Sequence, residues 1–485
     1  MSAGGFHGGL KLPGRKEAAA RPIRRCPPPA VLRVALRQHP GEAALPLVAA
    51  GQSVREGQLL ARAVGPFGAD LHAPCHAEVL SIDESGDGLL CLRPTAEDGD
   101  AIRLPLLDPD TAAADAIRAR IAAAGVVGLG GAAFPTADKL AIAREAVILN
   151  GAECEPLIAC DNRLLQERAE AVIRGGELLR RACGAGSLRI AIEEDMPAAR
   201  EALLAAKADA PAFELDVLPA RYPQGGERQL IEAVLGIEVP RGGLPRDIGI
   251  GVFNVGTAEA VWRAVAEGRP LTRRLVSVAG GGVVEPVVVE ALIGTPVAEL
   301  IGAAGGYRED AARLILGGPL TGRALADDDH GLRKGDNAIV VLSTAEIPET
   351  RTSMPCIRCG ACATVCPARL QPQLLWQFGL AGQDSRLSDH GLFDCIECAA
   401  CDLVCPSHIA LTAGFREHKL RLRGEALERA AADAARERFE QRQARLEREA
   451  AERAEQEAEQ QRRLLARDAV RAALERARAR GKGPP

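Results

Sequence analysis

The spacing of apolar and polar positions changes several times along the chain. Between 31 and 82, short apolar runs such as LLARAV and EVLSI are separated by turn glycines, Gly51 and Gly57 among them, which predicts a small β-structure. From about 112 to 268 strand-like runs alternate with helical patterns. The spacing predicts a helix over 113–124 stopped by Gly125 and a second helix opened by Pro135 and Thr136. It then predicts a strand at 146–150, a helix over 161–181, a strand at 188–192, a helix near 197–207, and a strand at 213–218. A strand at 250–254 follows, leading into a helix at Thr257. Strands separated by helices predict a parallel α/β sheet. Ligands of such sheets lie at the carboxyl ends of strands, where Asn150 and Asn254 fall. Further on, RRLVSVAG, the turn Gly280-Gly281-Gly282 and VVEPVVVEAL read as a hairpin, with a short helix over 296–304 and a third strand at 313–318. Beyond Gly424 the chain is mostly Ala, Arg, Glu and Gln, with Glu–Arg pairs three and four apart and few large apolar residues. That stretch is expected to be a solvated single helix or a disordered tail, with a helix for a specific partner as the alternative.

Bulk properties narrow the function classes. A length of 485 residues suggests three or four domains. The formal net charge of −5 gives no electrostatic reason to expect nucleic acid or anionic lipid, and aromatic residues at 3% leave few platforms for stacked bases. No apolar run reaches the roughly eighteen residues of a membrane span. The start of the chain lacks the apolar core of a secretory signal, and neither end carries a lipidation signal. The expected compartment is the cytoplasm.

Cysteine placement carries the sharpest chemistry. Eight of the fourteen cysteines fall between 356 and 405, and the others are scattered singly. A secreted disulfide framework would distribute its pairs through a small domain, so this pattern indicates a metal site in a reducing compartment. The window reads Cys356-x2-Cys359-x2-Cys362-x3-Cys366-Pro and then Cys395-x2-Cys398-x2-Cys401-x3-Cys405-Pro. Three thiolates at steps of three wrap one cubane, and the fourth, followed by proline, ligates the other cluster of a two-cluster ferredoxin. Cys356, Cys359, Cys362 and Cys405 are therefore expected on one [4Fe–4S] cluster, and Cys395, Cys398, Cys401 and Cys366 on the other. Two zinc sites or unligated thiols are the alternatives, but zinc requires no matched x3-Cys-Pro tails.

A glycine loop runs from Gly125 through Gly128, Gly130, Gly131 and Phe134 to Lys139. It is either a phosphate-binding loop with a charge from Lys139, or a connector between helices. The helix expected before it argues against an ordinary dinucleotide fingerprint. Three further stretches follow: Asn150-Gly-Ala-Glu153-Cys154-Glu155-Pro156, Tyr222-Pro-Gln-Gly225-Gly226-Glu227, and Asn254-Val-Gly-Thr257. Together with the loop they resemble the FMN- and NADH-binding segments of the flavoprotein subunit of respiratory complex I. There the loop reads like R-G-R-G-G-A-G-F-P-T-G-x-K and the next stretch N-A-D-E-S-E-P. Ala152 and Cys154 stand here in place of that family's acid and serine, and Gly226 in place of its first glutamate.

The whole layout, with its opening FHGGLKLPGRK and the GLGGAAFPT and LNGAECEP stretches, resembles the RnfC family, the C subunits of the Rnf (Rsx) ion-translocating electron-transport complexes. Complex I's flavoprotein has one cluster in this region, so the second cysteine motif favours the Rnf family. The resemblance implies a multidomain α/β and α+β chain. Its parts are an N-terminal arm (1–30), a barrel-sandwich domain (31–100) and a flavin-type parallel α/β domain (110–270). A β-grasp, SLBB-like domain (271–345), a two-[4Fe–4S] ferredoxin-like domain (346–415) and a charged tail (416–485) follow. The position of the modified lysine in biotinyl and lipoyl carriers has no lysine here, in 64–71, so the barrel-sandwich domain is expected to be structural or docking. By resemblance FMN and NADH are bound by Gly128, Gly130, Gly131, Phe134, Lys139, Asn150, Glu153, Cys154, Tyr222, Gly225, Glu227, Asn254 and Thr257. The implied function is NADH-linked electron transfer as part of a translocase, or a flavin-free iron–sulfur conduit or docking role in such a complex. Implied partners are a ferredoxin-type subunit and integral membrane subunits, with peripheral attachment at the cytoplasmic face of the bacterial inner membrane.

Overall fold

Seven short strands form a sandwich of two antiparallel sheets before residue 95. One sheet joins Leu32–Ala35, Ser53–Val54, Ala77–Asp83 and Leu89–Pro94, and the other Leu45–Pro46, Leu59–Arg62 and Leu71–His72. Leu32 and Val34, and Leu90 and Leu92, alternate inward from their strands and pack with Leu60, Leu71 and Val79. The computed structural model describes residues 5–96, 99–207, 211–347 and 352–481. They fall into two compact units that divide between Phe415 and Arg416.

The α/β region contains, in chain order, α1 (Ala114–Ala123), α2 (Thr136–Leu140), strand Ala146–Asn150, α3 (Cys160–Ala182) and strand Ser187–Glu193. It continues with α4 (Pro197–Ala206), strand Glu214–Leu218, α5 (Glu227–Leu235), strand Ile250–Asn254 and α6 (Val255–Ala266). The four strands are parallel, in the spatial order 214–218, 187–193, 146–150, 250–254. Val147 and Leu149 pack with α3 and α6, while Ile148 packs with Leu230 and Ile231 of α5. The sheet is thus buried on both faces, as a run of apolar residues without alternation requires. Helix α6 starts before the expected Thr257 because the Asn254 side-chain oxygen accepts a bond from the Gly256 amide at 2.8 Å and caps it. Helix α5 has no counterpart among the expected elements, since its nine residues hold little more than two turns of period.

The next sheet has six strands in the order Arg24–Arg25, Val287–Leu292, Arg273–Ala279, Ala338–Ser343, Ala311–Leu316 and Arg323–Ala324. The expected hairpin is present as an antiparallel pair. The expected third strand does not lie beside it. Ala338–Ser343 separates them, parallel to Arg273–Ala279 and antiparallel to Ala311–Leu316. The N-terminal segment is part of this fold as well, because Arg24 and Arg25 pair in parallel with Val289 and Glu290.

In the cysteine-rich region the short helices Ala361–Thr364 and Ala400–Leu403 each carry a third cysteine, and Pro372–Leu380 and Asp384–Asp389 lie between the motifs. The second unit is helical, the continuation of a helix over Leu411–Arg480, and its side chains from 426 on are exposed. Of the readings open from sequence, the helical ones agree with the structure and the disordered tail does not. No helix among the described residues is long and apolar enough to cross a membrane.

Candidate functional site

In the parallel sheet the later strand Ile250–Asn254 joins on the opposite side of Ala146–Asn150 from the two strands between them in sequence. Connections therefore leave in opposite directions at this pair, and a crevice opens at its carboxyl end. Asn150 and Asn254 are register partners there. A cavity of about 470 Å³ occupies this end, within the range of small-molecule sites. Its lining includes Gly128, Gly130, Phe134, Lys139, Asn150, Gly225, Glu227, Asn254 and Thr257.

Each wall is fixed by a bond that its sequence position makes possible. The Gly128 amide donates to the Phe134 carbonyl at 2.7 Å, which closes the glycine loop on itself. The Leu129 amide donates to the Thr257 hydroxyl at 2.9 Å and ties that loop to α6. The Asn150 side-chain amide donates to the Gly225 carbonyl at 2.9 Å. Lys139 bonds the Glu227 carboxylate at 2.8 Å and the Val252 carbonyl at 2.6 Å, so its charge is shared with an acid at the positive start of α5.

The other four expected site residues lie outside this lining. Glu153 is buried and accepts bonds from the Asp161 and Asn162 amides at 2.8 and 3.0 Å, capping α3. Cys154 accepts a bond from the Gly225 amide at 3.3 Å, and burial pushes its thiol up to about 12. Gly131 sits at φ +107 in the exposed crest of the loop. Tyr222 is buried, and its hydroxyl donates to the Cys398 carbonyl at 2.6 Å. Sequence reasoning also missed lining residues, notably Thr136, Arg144, Arg246 and Phe253. Thr136 registers in the sequence as a helix opener and as the threonine of the F-P-T match without being named as a ligand, and Arg144 sits in an irregular stretch between α2 and the next strand, outside any motif.

The cysteines gather in two groups. Cys356, Cys359, Cys362 and Cys405 line one small cavity, and Cys366, Cys395, Cys398 and Cys401 line another. No disulfide joins any of them. The two motifs repeat the same backbone, with positive φ at the matched positions Arg358 and Glu397, Gly360 and Ala399, and Arg369 and His408. These turns bring amides onto sulfur: Glu397 donates to Cys395 Sγ and Leu370 to Cys366 Sγ, both at 3.4 Å. Burial pushes the Cys398 thiol up to about 11. The opening segment FHGG lies against the second group. Gly9 donates to the Val365 carbonyl at 2.8 Å, His7 Nδ1 lies 3.2 Å from the Cys366 carbonyl, and Leu10 and Tyr222 exchange backbone bonds at 2.8 Å.

Comparison with known proteins gives four family matches. Residues 4–87 match the RnfC barrel sandwich hybrid domain, 121–263 the Nuo51 FMN-binding domain, 275–324 the SLBB domain and 355–410 the 4Fe-4S dicluster domain. The C subunit of the ion-translocating oxidoreductase complex of Pseudomonas aeruginosa is 45% identical over 454 residues, which is 91% of this chain and 58% of that protein. Its counterpart of the same name from Rhodobacter capsulatus is 42% identical over 363 residues, covering 72% of this chain and 70% of its own length. The chain therefore spans well under the full length of these relatives. Among solved structures, an NAD+-reducing [NiFe]-hydrogenase aligns with TM-score 0.45 and 23% identity over 63% of this chain and 60% of that one.

The residues present fit the two cofactor classes that these domains carry. Thr136 Oγ1 and Arg144 Nε are buried, belong to residues that line the large cavity, and have no hydrogen-bond partner among the described residues. Unmet polar atoms at such a position suit a polar ligand such as FMN. Four convergent sulfurs in each small cavity, with amides bonded to sulfur, suit a [4Fe–4S] cluster.

Proposed function

The chain belongs to the RnfC family, the C subunits of ion-translocating oxidoreductase complexes, and from that premise we propose that it transfers electrons between NADH and two [4Fe–4S] clusters by way of FMN. One observation carries this reading: Tyr222 and Gly225 stand in one loop, Gly225 in the wall of the large cavity and Tyr222 bonded to the carbonyl of Cys398. The nucleotide-sized cavity and one cysteine pocket thus share a single short segment.

In this reading FMN is held by Asn150, Gly225, Asn254 and the glycine loop, and NADH enters beside Phe134 and Glu227. Bound flavin supplies the exchange between two-electron hydride chemistry and one-electron cluster chemistry. The protein's own groups bind and position. Asn150 and Thr257 anchor the walls, Lys139 and Glu227 hold each other at the rim, and the opening segment with Tyr222 keeps the second cysteine pocket beside the cavity. Cys356, Cys359, Cys362 and Cys405 hold one cluster, and Cys395, Cys398, Cys401 and Cys366 the other. The partners are the other subunits of an ion-translocating complex, among them a ferredoxin-type subunit and integral membrane subunits. They attach the chain to the cytoplasmic face of the bacterial inner membrane.

The crossed ligand sets give the direct test. Replacing Cys366→Ser should perturb the spectrum of the cluster whose other ligands are Cys395, Cys398 and Cys401, and leave its neighbour intact. A disturbance confined to the cluster of Cys356, Cys359 and Cys362 would reject the crossing, and about four iron atoms per wild-type chain instead of about eight would reject the two clusters.

A further inference from the structure

The barrel-sandwich domain reaches the cavity through a residue to which neither sequence motif nor resemblance gives a role. Phe67 lies in the loop between strands Leu59–Arg62 and Leu71–His72, and its ring centroid is 5.3 Å from that of Phe134, tilted by 45°. Phe134 belongs to the cavity wall. Phe67 has φ +63, a backbone region that glycine occupies freely and a bulky residue does not. It is also 47% exposed, so the strained position is not offset by deep burial. The backbone holds it there from the other side: Gly41 donates to the Phe67 carbonyl at 3.2 Å, and a Cβ on Gly41 would meet the carbonyl atoms of Phe67 at 2.8 Å.

An exposed aromatic ring in a conformation suited to glycine, packed on an aromatic wall of a ligand cavity, is costly as mere packing. Such outliers persist at ligand clamps. We propose that Phe67 is a positioning residue for the dinucleotide: it backs Phe134 and fixes the angle at which that ring meets the bound dinucleotide. This rests on the reading that NADH binds beside Phe134. It gives the barrel-sandwich domain a part in substrate binding, where the sequence suggested only structure or docking.

The test uses the full chain with its cofactors, and variants Phe67→Gly and Phe67→Tyr. Glycine accepts φ +63, so Phe67→Gly should keep the wild-type melting temperature or exceed it, and keep its FMN content. Its affinity for NAD+ by calorimetry should fall roughly two- to twelvefold, the range given by an aromatic pair beyond its buried area. The KM for NADH with an artificial acceptor should rise by the same factor with kcat nearly unchanged, and Phe67→Tyr should behave as wild type. Unchanged NAD+ affinity in Phe67→Gly overturns the proposal. So does a loss of affinity that comes with a lower melting temperature and lost FMN, which would make Phe67 a packing residue. If the wild-type chain neither binds NAD+ nor oxidises NADH, the underlying reading of the cavity fails, and the role of Phe67 with it.

Discussion

Lys139 reaches from α2 to the Glu227 carboxylate and the Val252 carbonyl, and its ammonium lies 5.3 Å from the centroid of the Phe253 ring. All four residues line the cavity, and both charges are partly open to water. Removing Lys139 leaves Glu227 unopposed beside an anionic ligand. Lys139→Ala should therefore weaken NADH binding by about 1 kcal/mol, less than a buried charge-assisted contact because water screens the pair. Adding Glu227→Gln should restore part of the loss. Equal NADH titrations for wild type and Lys139→Ala would show that the pair has no part in binding. Lys139 was legible in the sequence because it follows the glycine loop at helical spacing. Glu153 and Cys154 looked equally functional, yet the Glu153 carboxylate bonds amides eight and nine residues on, at a helix start. Local sequence offers the acid to either role, and only the chain's path from Asn150 into α3 decides.

Glu193, at the carboxyl end of its strand, is nearly buried, and desolvation pushes its carboxyl up to about 8 against the opposing pull of Lys16. One of its oxygens has no partner among the described residues. The folded state thus binds this proton more tightly than the unfolded chain, whose carboxyl stays near 4.5. The stabilisation is complete below the unfolded value and is lost as pH rises from there towards about 8. Glu193→Gln should flatten this decline and raise the melting temperature at pH 8 by a few degrees, on the order expected for 1–2 kcal/mol in a large chain. Asp161, pushed up to about 7 by burial and by Glu153, keeps part of the slope. A variant with the wild-type slope would contradict the assignment.

At the scale of elements, the opening segment acts as a strap. Gly8 has φ +71, and a Cβ there would meet the carbonyl oxygens of Val365 and Cys366 at 2.7 Å. Lys16, further along, bonds the carbonyls of Glu153, Glu155 and Ile158 and so pins the loop before α3. Gly8→Ala should cost roughly 1–3 kcal/mol of stability. It should also lower iron occupancy in the pocket of Cys366 more than in its neighbour, as read by iron content and cluster spectroscopy. A variant with full iron and unchanged melting would detach the segment from the cluster site. Apart from α5, the strands and helices of the α/β region were legible because their apolar periods are bounded by glycine and proline. The place of Ala338–Ser343 between hairpin and third strand was not, since pairing order depends on contacts distant in sequence. Nor was the contact of FHGG with Val365 and Cys366, which spans most of the chain.

Across the whole molecule, the sandwich, the parallel sheet, the six-stranded sheet and the cysteine region meet within one compact unit. Phe67 touches the rim of the large cavity, Glu155 bonds the Leu320 and Thr321 amides of the six-stranded region, and Tyr222 bonds the cysteine region. The loop that walls the cavity through Gly225 is therefore also bonded, through Tyr222, to the second cysteine pocket, which suits electron exchange more than independent binding modules. The most direct test is an anaerobic titration of the purified chain, poised at different NADH-to-NAD+ ratios while cluster absorbance is followed. The clusters should become more reduced as the ratio rises, and should stop responding when FMN is removed. Clusters that ignore the ratio while FMN is bound would contradict electron transfer between NADH and the two clusters.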